Sequence, residues 1–341
     1  MTKRYGAWMA AGVGAAFVLA PCVVGSARAA DQIAIAQTST ALGFSPDFIA
    51  VDEGFFKKYD IEPDISIVTG GDAATLPAVR TGSAQFGAMT LVPALQAVAR
   101  GETLRVVSPL VREFVVQIVM NTNARAKSGI TDNMPLKERI TRIKGMTIGT
   151  LDVGGGLQLV FNGFAKKYGF VPDADFNLTA IKSYPGLLLA AKQGQIDVAL
   201  TAIPYGTIGV KDQGLTWFAD FWGGGVPETD GTHFQGIVTT ADFAAKNPDL
   251  VTRVNKVYDE TLLFMKDHPE KAIADMRKRF PEFGEDLLKV FYVDDMNSFA
   301  KRGIFERHGF ELLRDFVAQN LIAAAGDVKY ETFVLPVAQE K

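Results

Sequence analysis

Few residues of this 341-residue chain have the types and spacing that catalysis needs. Three histidines and a single cysteine, Cys22, are too few for a Cys/His zinc site, and no two histidines are at helical spacing. No G-x-S-x-G nucleophile elbow occurs, residues 154–159 lack the last glycine of G-x-G-x-x-G, and residues 149–154 lack the lysine of a phosphate-binding loop. We therefore expect no catalysis, no metal and no cofactor.

Residues that could bind a small molecule follow several short apolar runs that are typical of strands. In an open α/β sheet, ligands bind beyond the carboxyl ends of the strands, where loops and helix N-termini meet. On this ground the candidate ligand-binding residues are Thr38, Ser39, Thr40, Phe44, Gly71, Asp72, Thr90, Asp152, Gly154, Gly155, Tyr184, Pro204, Trp222 and His233.

The chemistry of these candidates leaves the charge of a ligand open. Glycines before a helix let backbone N–H groups approach a ligand, and the helix dipole favours an anion, although Gly154 and Gly155 could simply make a tight turn. Asp152 could cap the helix, repel an anion or bind an amine. The rings of Phe44, Tyr184, Trp222 and His233 would form a partly aromatic pocket, or they would pack in the core.

The elements that must position these residues alternate between strands and helices. Apolar runs give way to turn residues and then to amphipathic segments, which indicates an α/β fold with mainly parallel strands. The expected strands are 33–36, 65–68, 86–89, 104–110, 146–151 and 176–181, and the expected helices include 45–54 (opened by a Ser45 N-cap), 157–168, 242–266, 269–279 and 284–291.

The order of elements in the first half of the chain recurs in the second. Residues 78–88 and 190–200 both run from a helix end through a basic residue and a glycine into a strand, which indicates two lobes of one architecture. The late helices cannot extend the second sheet, so we place lobe one at residues 30–118 with 236–341 and lobe two at 119–235. The chain would cross near 115–121 and 235–240, and two crossings make a hinge.

The first 29 residues have the organisation of a signal peptide. Lys3 and Arg4 precede an uncharged stretch, and a small-x-small site ends at Ala29. The alternatives are a membrane anchor and, at Cys22, a lipoprotein processing box, which Pro21 disfavours. Cleavage would change the net charge from -3 to -6 and leave no cysteine, which suits an oxidising periplasm. The acidic balance disfavours nucleic acid as a partner.

Five segments carry a resemblance to a known family, and they occur in that family's order. They are 48–65 (FIAVDEGFFKKYDIEPDI), 79–89 (VRTGSAQFGAM), 144–151 (KGMTIGTL), 191–200 (AKQGQIDVAL) and 238–250 (VTTADFAAKNPDL). Together they resemble the type II periplasmic solute-binding proteins of ABC importers, in the branch that includes proteins for nitrate, sulfonate, taurine and thiamine-pyrimidine precursors. The chain departs from the family pattern at Asp60, where glycine is usual, and at Gln85, where aspartate is usual.

The resemblance implies a two-lobed fold, each lobe a mixed, mainly parallel sheet flanked by helices. It implies a periplasmic monomer, not inserted in a membrane after signal cleavage, that captures a small solute between its lobes for an ABC permease. We expect an anionic solute, a sulfonate or carboxylate, with or without an aromatic ring. The alternatives are a pyrimidine or other heterocycle and, less favoured, an enzyme like the thiamine-pyrimidine synthase, whose cysteine-rich iron motif this chain lacks.

Overall fold

The computed structural model describes Met1 and residues 29–222, 226, 229–294 and 296–340. The predicted leader, including Cys22, lies almost wholly outside the described residues, so the signal peptide stays a prediction. Among the residues that are described, no helix is long and apolar enough to cross a bilayer.

Ten strands and sixteen helices form within the described ranges. The strands are β1 (Asp31–Gln37), β2 (Ile61–Ile67), β3 (Phe86–Thr90), β4 (Leu104–Val111), β5 (Val116–Met120), β6 (Thr147–Thr150), β7 (Asn177–Ala180), β8 (Val198–Ala202), β9 (Thr216–Asp220) and β10 (Gln235–Thr240). The helices are α1 (Ser45–Asp52), α2 (Phe55–Lys58), α3 (Asp72–Thr81), α4 (Leu91–Ala99), α5 (Thr122–Ser128), α6 (Leu136–Arg142), α7 (Gly156–Lys167), α8 (Pro172–Asp175), α9 (Tyr184–Lys192), α10 (Tyr205–Gln213), α11 (Ala241–Lys246), α12 (Pro248–Asp267), α13 (Pro269–Arg279), α14 (Glu285–Lys289), α15 (Arg307–Asn320) and α16 (Tyr330–Phe333).

The strands form two five-stranded sheets with matching topology. The first has the order β2-β1-β3-β10-β4 and the second the order β7-β6-β8-β5-β9. In each sheet the fourth strand, β10 or β5, is antiparallel to its neighbours, so four of the five strands point the same way. We call the first sheet with its helices lobe one and the second lobe two. The predicted α/β class and the mixed, mainly parallel sheets are confirmed.

Helices cover the centre of each sheet, whereas the edge strands β2 and β7 are partly exposed. The central strands β3 and β8 are buried at every residue, as their continuous apolar sequences require. Helix α4, which follows β3, is also almost entirely buried, with only Ala99 partly accessible. These central strands end at the cleft between the lobes, so the loops at their carboxyl ends follow fully buried strands.

The chain passes between the sheets twice, through residues 112–115 and through the connection 221–234. We expected the crossings at 115–121 and 235–240, but strands β5 and β10 occupy most of these two segments. The crossings lie instead in the connections that precede these strands. The predicted lobe boundaries do not coincide with the ends of strands: 118/119 falls within β5, and 235/236 follows the first residue of β10. The division of the chain into domains stays a prediction.

Helix α15 joins the two lobes at the side of the hinge. It contacts α7 of lobe two and α4 of lobe one. Phe316 on α15 lies 5.1 Å from the ring of Phe114 in the first crossing and 5.6 Å from that of Phe164 on α7. A Cβ at Gly163 would lie 2.4 Å from the Phe316 ring, so this close approach needs glycine.

Two predicted helix boundaries differ from the structure for local reasons. The expected helix 242–266 is two helices, α11 and α12, because Pro248 cannot continue α11 and instead begins α12. The first helix starts one residue earlier than expected: Ser45 is its first helical residue, Phe44 occupies the N-cap position, and no side chain caps it.

Candidate functional site

A cavity of about 170 Å³ lies between the lobes, beyond the carboxyl ends of β1, β2, β6 and β7. Both lobes contribute to its wall, as expected for a ligand site in an α/β protein that has two sheets. Its lining residues are Thr38, Ser39, Thr40, Ile67, Val68, Thr69, Gly70 and Gly71 from lobe one, with Leu151, Lys182, Ser183, Tyr184 and Pro185 from lobe two.

The turn that leads into α3 needs glycine at Gly71 for two reasons. Its φ is +64°, a left-handed conformation that favours glycine, and a Cβ there would lie 2.7 Å from Cγ of Asp152. Because Gly71 belongs to lobe one and Asp152 to lobe two, this glycine lets the two backbones approach each other at the cavity.

Asp72, the first residue of α3, connects lobe one to lobe two. Its buried carboxylate accepts from Thr38 Oγ1 at 2.8 Å and from the Thr90 backbone N–H at 3.0 Å, and also from Thr90 Oγ1. It further accepts from the backbone N–H of Gly156 at 2.9 Å, and Gly156 begins α7 in the other lobe. Burial raises the pKa of Asp72, while these donors lower it.

Asp152, which follows β6 in lobe two, makes the reciprocal contact. Its Oδ2 accepts from the backbone N–H of Ala73, at the start of α3 in lobe one, at 2.9 Å. Burial, and then the charge of Asp72, raise the pKa of Asp152 to about 7. Each lobe therefore supplies a carboxylate to the N-terminus of the other lobe's helix, which is the position where a helix favours negative charge.

Two tyrosines of lobe two contact the loop after β1. Tyr184 and Tyr205 stack with ring centroids 4.5 Å apart. The Tyr205 hydroxyl forms a hydrogen bond with Thr40 Oγ1, and the interaction of the Tyr184 hydroxyl with the side chain of Ser39 lowers the pKa of Tyr184. Burial raises the pKa of Tyr205 to about 12 and that of Tyr184 well above its ordinary value, so both phenols stay neutral.

A backbone hydrogen bond adds a further contact between the lobes. The Leu42 N–H donates to the Ile203 carbonyl at 3.0 Å, just before the cis Ile203–Pro204 peptide that leads into α10. Together with the contacts of Asp72, Asp152, Tyr184 and Tyr205, it ties the lobes together around the cavity. The structure is therefore that of a closed cleft.

Most of the candidate residues converge at this cleft. Thr38, Ser39, Thr40, Gly71 and Tyr184 line the cavity. A second group of candidates lies next to the cavity and contains the two carboxylates, their hydrogen-bond partners and the loops that carry them. This group consists of Asp72, Thr90, Asp152, Gly154, Gly155 and Pro204. The sequence analysis missed Lys182, whose only signal was its position next to Ser183 and Tyr184, and it did not foresee the pairing of Asp72 with Asp152.

Three aromatic candidates lie outside the cavity wall. Phe44 is buried in the core. Trp222 donates from Nε1 to Ser298 Oγ at 2.9 Å and faces a separate cavity of about 460 Å³ between α10 and residues 282–290.

His233 is also buried away from the cleft. Its Nε2 accepts from the Glu306 N–H at 3.1 Å, and its ring packs against Phe305. Burial lowers the pKa of His233 to about 3, so the ring is neutral.

The described part of the chain holds no group of three or more His, Cys, Asp or Glu residues arranged to bind a metal ion. The acidic pair at the cleft is engaged with backbone amides instead. The cavity can enclose a small polar molecule between hydroxyl groups, one ammonium group and a tyrosine ring.

Comparison with known proteins agrees with the resemblance drawn from the sequence. A family profile described as NMT1/THI5 like matches residues 42–272. No curated protein matches the chain.

Solved structures that superpose on most of the chain include a protein of Bordetella bronchiseptica RB50 (TM-score 0.78, 18% identity, 89% of this chain and 94% of that one). The alkanesulfonate-binding protein SsuA of Xanthomonas axonopodis pv. citri, bound to MOPS, superposes with a TM-score of 0.66 (14% identity, 91% and 98% coverage). The periplasmic nitrate-binding protein NrtA of Synechocystis PCC 6803 gives 0.63 (14% identity, 89% and 84% coverage).

One structural relative is an enzyme, the desulfurization enzyme DSZB, with a TM-score of 0.56, 13% identity and coverage of 86% and 93%. At these identities the superpositions show the fold, which is that of the periplasmic binding proteins. The profile match spans more than half of the chain, and the chain belongs to the NMT1/THI5 like family.

Proposed function

We propose that this protein is an extracytoplasmic solute-binding protein that captures a small molecule between its lobes and delivers it to an ABC importer. The observation that carries the proposal is the cavity walled by both lobes at the carboxyl ends of their strands. The family and the alkanesulfonate- and nitrate-binding proteins of the same fold support it. The predicted signal peptide would export the chain to the periplasm.

Binding would act through closure of the cleft. The chain crosses between the lobes twice, and a solute that contacts both lobes stabilises the closed form by its higher affinity for that form. A micromolar dissociation constant needs about 8 kcal/mol, which a few charge-assisted hydrogen bonds and burial of the solute can supply. The importer would recognise the closed form.

The size of the cavity limits the solute. A volume of about 170 Å³ has room for roughly six water-sized groups, since water occupies about 30 Å³ per molecule. We propose an anionic head group, a sulfonate or carboxylate, held by the Lys182 ammonium group and by the hydroxyls of Ser39 and Ser183. The amides that begin α3 and α7 are less available to it, because Asp152 and Asp72 already accept from them.

A small heterocycle such as a pyrimidine is the second candidate. The observation that favours it is the ring of Tyr184, which lines the cavity and is itself held by stacking on Tyr205. A flat ring would bury more of its area against this tyrosine than an alkyl sulfonate would.

A thermal-shift screen separates these candidates. The purified chain is melted with alkanesulfonates, carboxylates, nitrate, pyrimidines and related heterocycles, and each compound that raises the melting temperature is measured by calorimetry. We expect one class to bind with micromolar or lower dissociation constant and to be recovered unchanged. Conversion of the bound compound would indicate an enzyme, and failure of every small solute would overturn the proposal.

A charge variant tests the role of Lys182. This side chain is exposed, so Lys182→Ala removes the cation without disturbing the core. Since a hydrogen bond to a charged group is worth about 1.5–3 kcal/mol, the affinity for an anionic solute should fall roughly 10- to 150-fold. The control is Lys192→Ala, at the exposed end of α9. Equal affinities of the two variants would exclude an ion pair with Lys182.

A further inference from the structure

The carboxylates of Asp72 and Asp152 meet only because the lobes are closed. Each is fixed on its own lobe, and each accepts a backbone N–H from the first turn of the other lobe's helix. Asp72 is 3% exposed and Asp152 is 7% exposed, so closure brings two acidic groups out of water and into one interface. Within the described ranges, no lysine or arginine forms an ion pair with either group.

The surroundings of Asp152 leave little space for a counter-ion. The backbones of Gly71 and Gly155 pack against its carboxylate on two sides, where an added Cβ would lie 2.7 Å and 2.1 Å from the nearest carboxylate atom. The titratable group that faces the pair from α9 is Tyr184, a neutral phenol next to Tyr205, and the exposed Lys182 lines the same cavity without an ion pair to either carboxylate. A proton is the one cation that needs no additional room.

We infer that closure of the two lobes is coupled to the uptake of one proton by the Asp72–Asp152 pair. Burial raises the pKa of both carboxyls, but Asp72 accepts four hydrogen bonds that favour its charged form, so we place the proton on Asp152. The proton, taken from bulk water, binds to Asp152, which can still accept from Ala73 N–H through its other oxygen. When the lobes open, Asp152 returns to water and releases the proton.

The sign of the coupling follows from the pKa of Asp152 in the two forms. In the open form the exposed carboxyl has an ordinary pKa near 3.8, and in the closed form burial and Asp72 raise it to about 7. The ratio of closed to open protein is therefore highest at low pH. It falls by up to about tenfold per pH unit as the pH rises towards 7, and it is level above that.

This inference rests on the proposed function, because it assumes that the closed cleft is a binding state. It adds that a solute is captured together with a proton. An anionic solute would then meet one negative charge behind the cavity instead of two.

The test needs no solute, because the probe is the proton. The full chain carries Cys22→Ser and two introduced cysteines, Lys57→Cys on α2 of lobe one and Asp173→Cys on α8 of lobe two, both at exposed positions. Energy transfer between dyes at these positions reports the separation of the lobes from pH 5 to pH 9 at constant ionic strength. We expect the lobes to separate as the pH rises to about 7, with no further change above it.

Two variants identify the group that titrates. Asp152→Asn keeps a hydrogen-bond acceptor but needs no proton, so its closure should not change with pH. Asp275→Asn is the matched control, because Asp275 also has a pKa raised to about 6, chiefly by burial, but lies on α13 away from the cleft. The control should titrate like the parent protein.

Two results would overturn the inference. The first is a lobe separation in the parent protein that does not depend on pH, a measurement that is decisive even if a variant fails to fold. The second is an Asp152→Asn protein that folds by circular dichroism and still opens between pH 5 and 7. Failure of the solute screen would remove the proposed function but would leave these pH curves unchanged, so the two failures are distinguishable.

Discussion

Gly156→Ala should block closure of the cleft while leaving each lobe folded. An added Cβ would lie 2.0 Å from Oγ1 and 2.6 Å from Cβ of Thr90, which belongs to the opposite lobe. Since carbon atoms in contact are about 3.5–4 Å apart, the lobes would have to separate locally by roughly 1 Å or more. The Gly156 N–H to Asp72 bond, now 2.9 Å long, would then be broken.

The magnitude follows from the bond that is lost. A hydrogen bond to a charged group is worth about 1.5–3 kcal/mol, and overpacking costs a similar amount if the lobes do not separate. We expect the closed form to lose roughly 2–3 kcal/mol, which is about a 30- to 150-fold loss of solute affinity. The open form has no such clash, and alanine in α7 has a better helix propensity than glycine.

The assay compares binding with stability. Calorimetry of the solute found in the screen should give the weaker dissociation constant, whereas the melting temperature without solute, measured above pH 7 where we expect open lobes, should be unchanged or slightly higher. Gly284→Ala is the control, because Gly284 has a φ of -58° and no atom within 4 Å of an added Cβ. An unchanged affinity in Gly156→Ala would refute the reasoning, since the observed closed cleft would then not be the binding state.

Two further variants probe separate parts of the structure. Tyr205→Phe removes the bond to Thr40 across the cleft, so solute affinity measured by calorimetry should fall about two- to tenfold with the melting temperature unchanged. Asp47→Asn tests a carboxyl that is buried near Tyr258 and whose pKa burial raises to about 7. Because unfolding exposes this carboxyl at its ordinary pKa, the parent protein should lose stability as the pH rises from about 4 to 7, by up to about 4 kcal/mol. Urea unfolding at pH 5 and pH 8 should show a smaller loss in the variant, and equal losses would contradict the account.

The sequence predicted the architecture because its signals are local and repeated. The segments 78–88 and 190–200, which share a helix end, a glycine and a strand, prove to be the ends of α3 and α9 followed by β3 and β8. These strands occupy the same central position in the two sheets. Hydrophobic runs and glycine stops depend on neighbours along the chain, so they can be identified without knowing the tertiary structure.

The position of a loop residue was harder to predict when distant parts of the chain pack on it. Trp222 and His233 lie in the second connection between the lobes, where loop position and ring chemistry suggested a pocket. C-terminal segments pack against both residues: Trp222 bonds to Ser298 and lines the separate cavity of about 460 Å³, whereas His233 is buried against Phe305 and Glu306. Nothing in the sequence near either residue indicates that residues 298–306 return to this place.

The pairing of Asp72 with Asp152 shows the same limit in the site itself. Local capping rules assign an acidic residue to the helix that follows it, and by those rules Asp152 would cap α7. In the structure each carboxylate accepts from the helix of the other lobe: Asp152 from the start of α3, and Asp72 from the start of α7. This exchange arises because the starts of the two helices face each other across the closed cleft. An exchange of this kind exists only in the closed form. The two acidic residues therefore link the electrostatics of the site to the movement of the lobes, and substitutions at either one should change closure more than they change the folding of a single lobe.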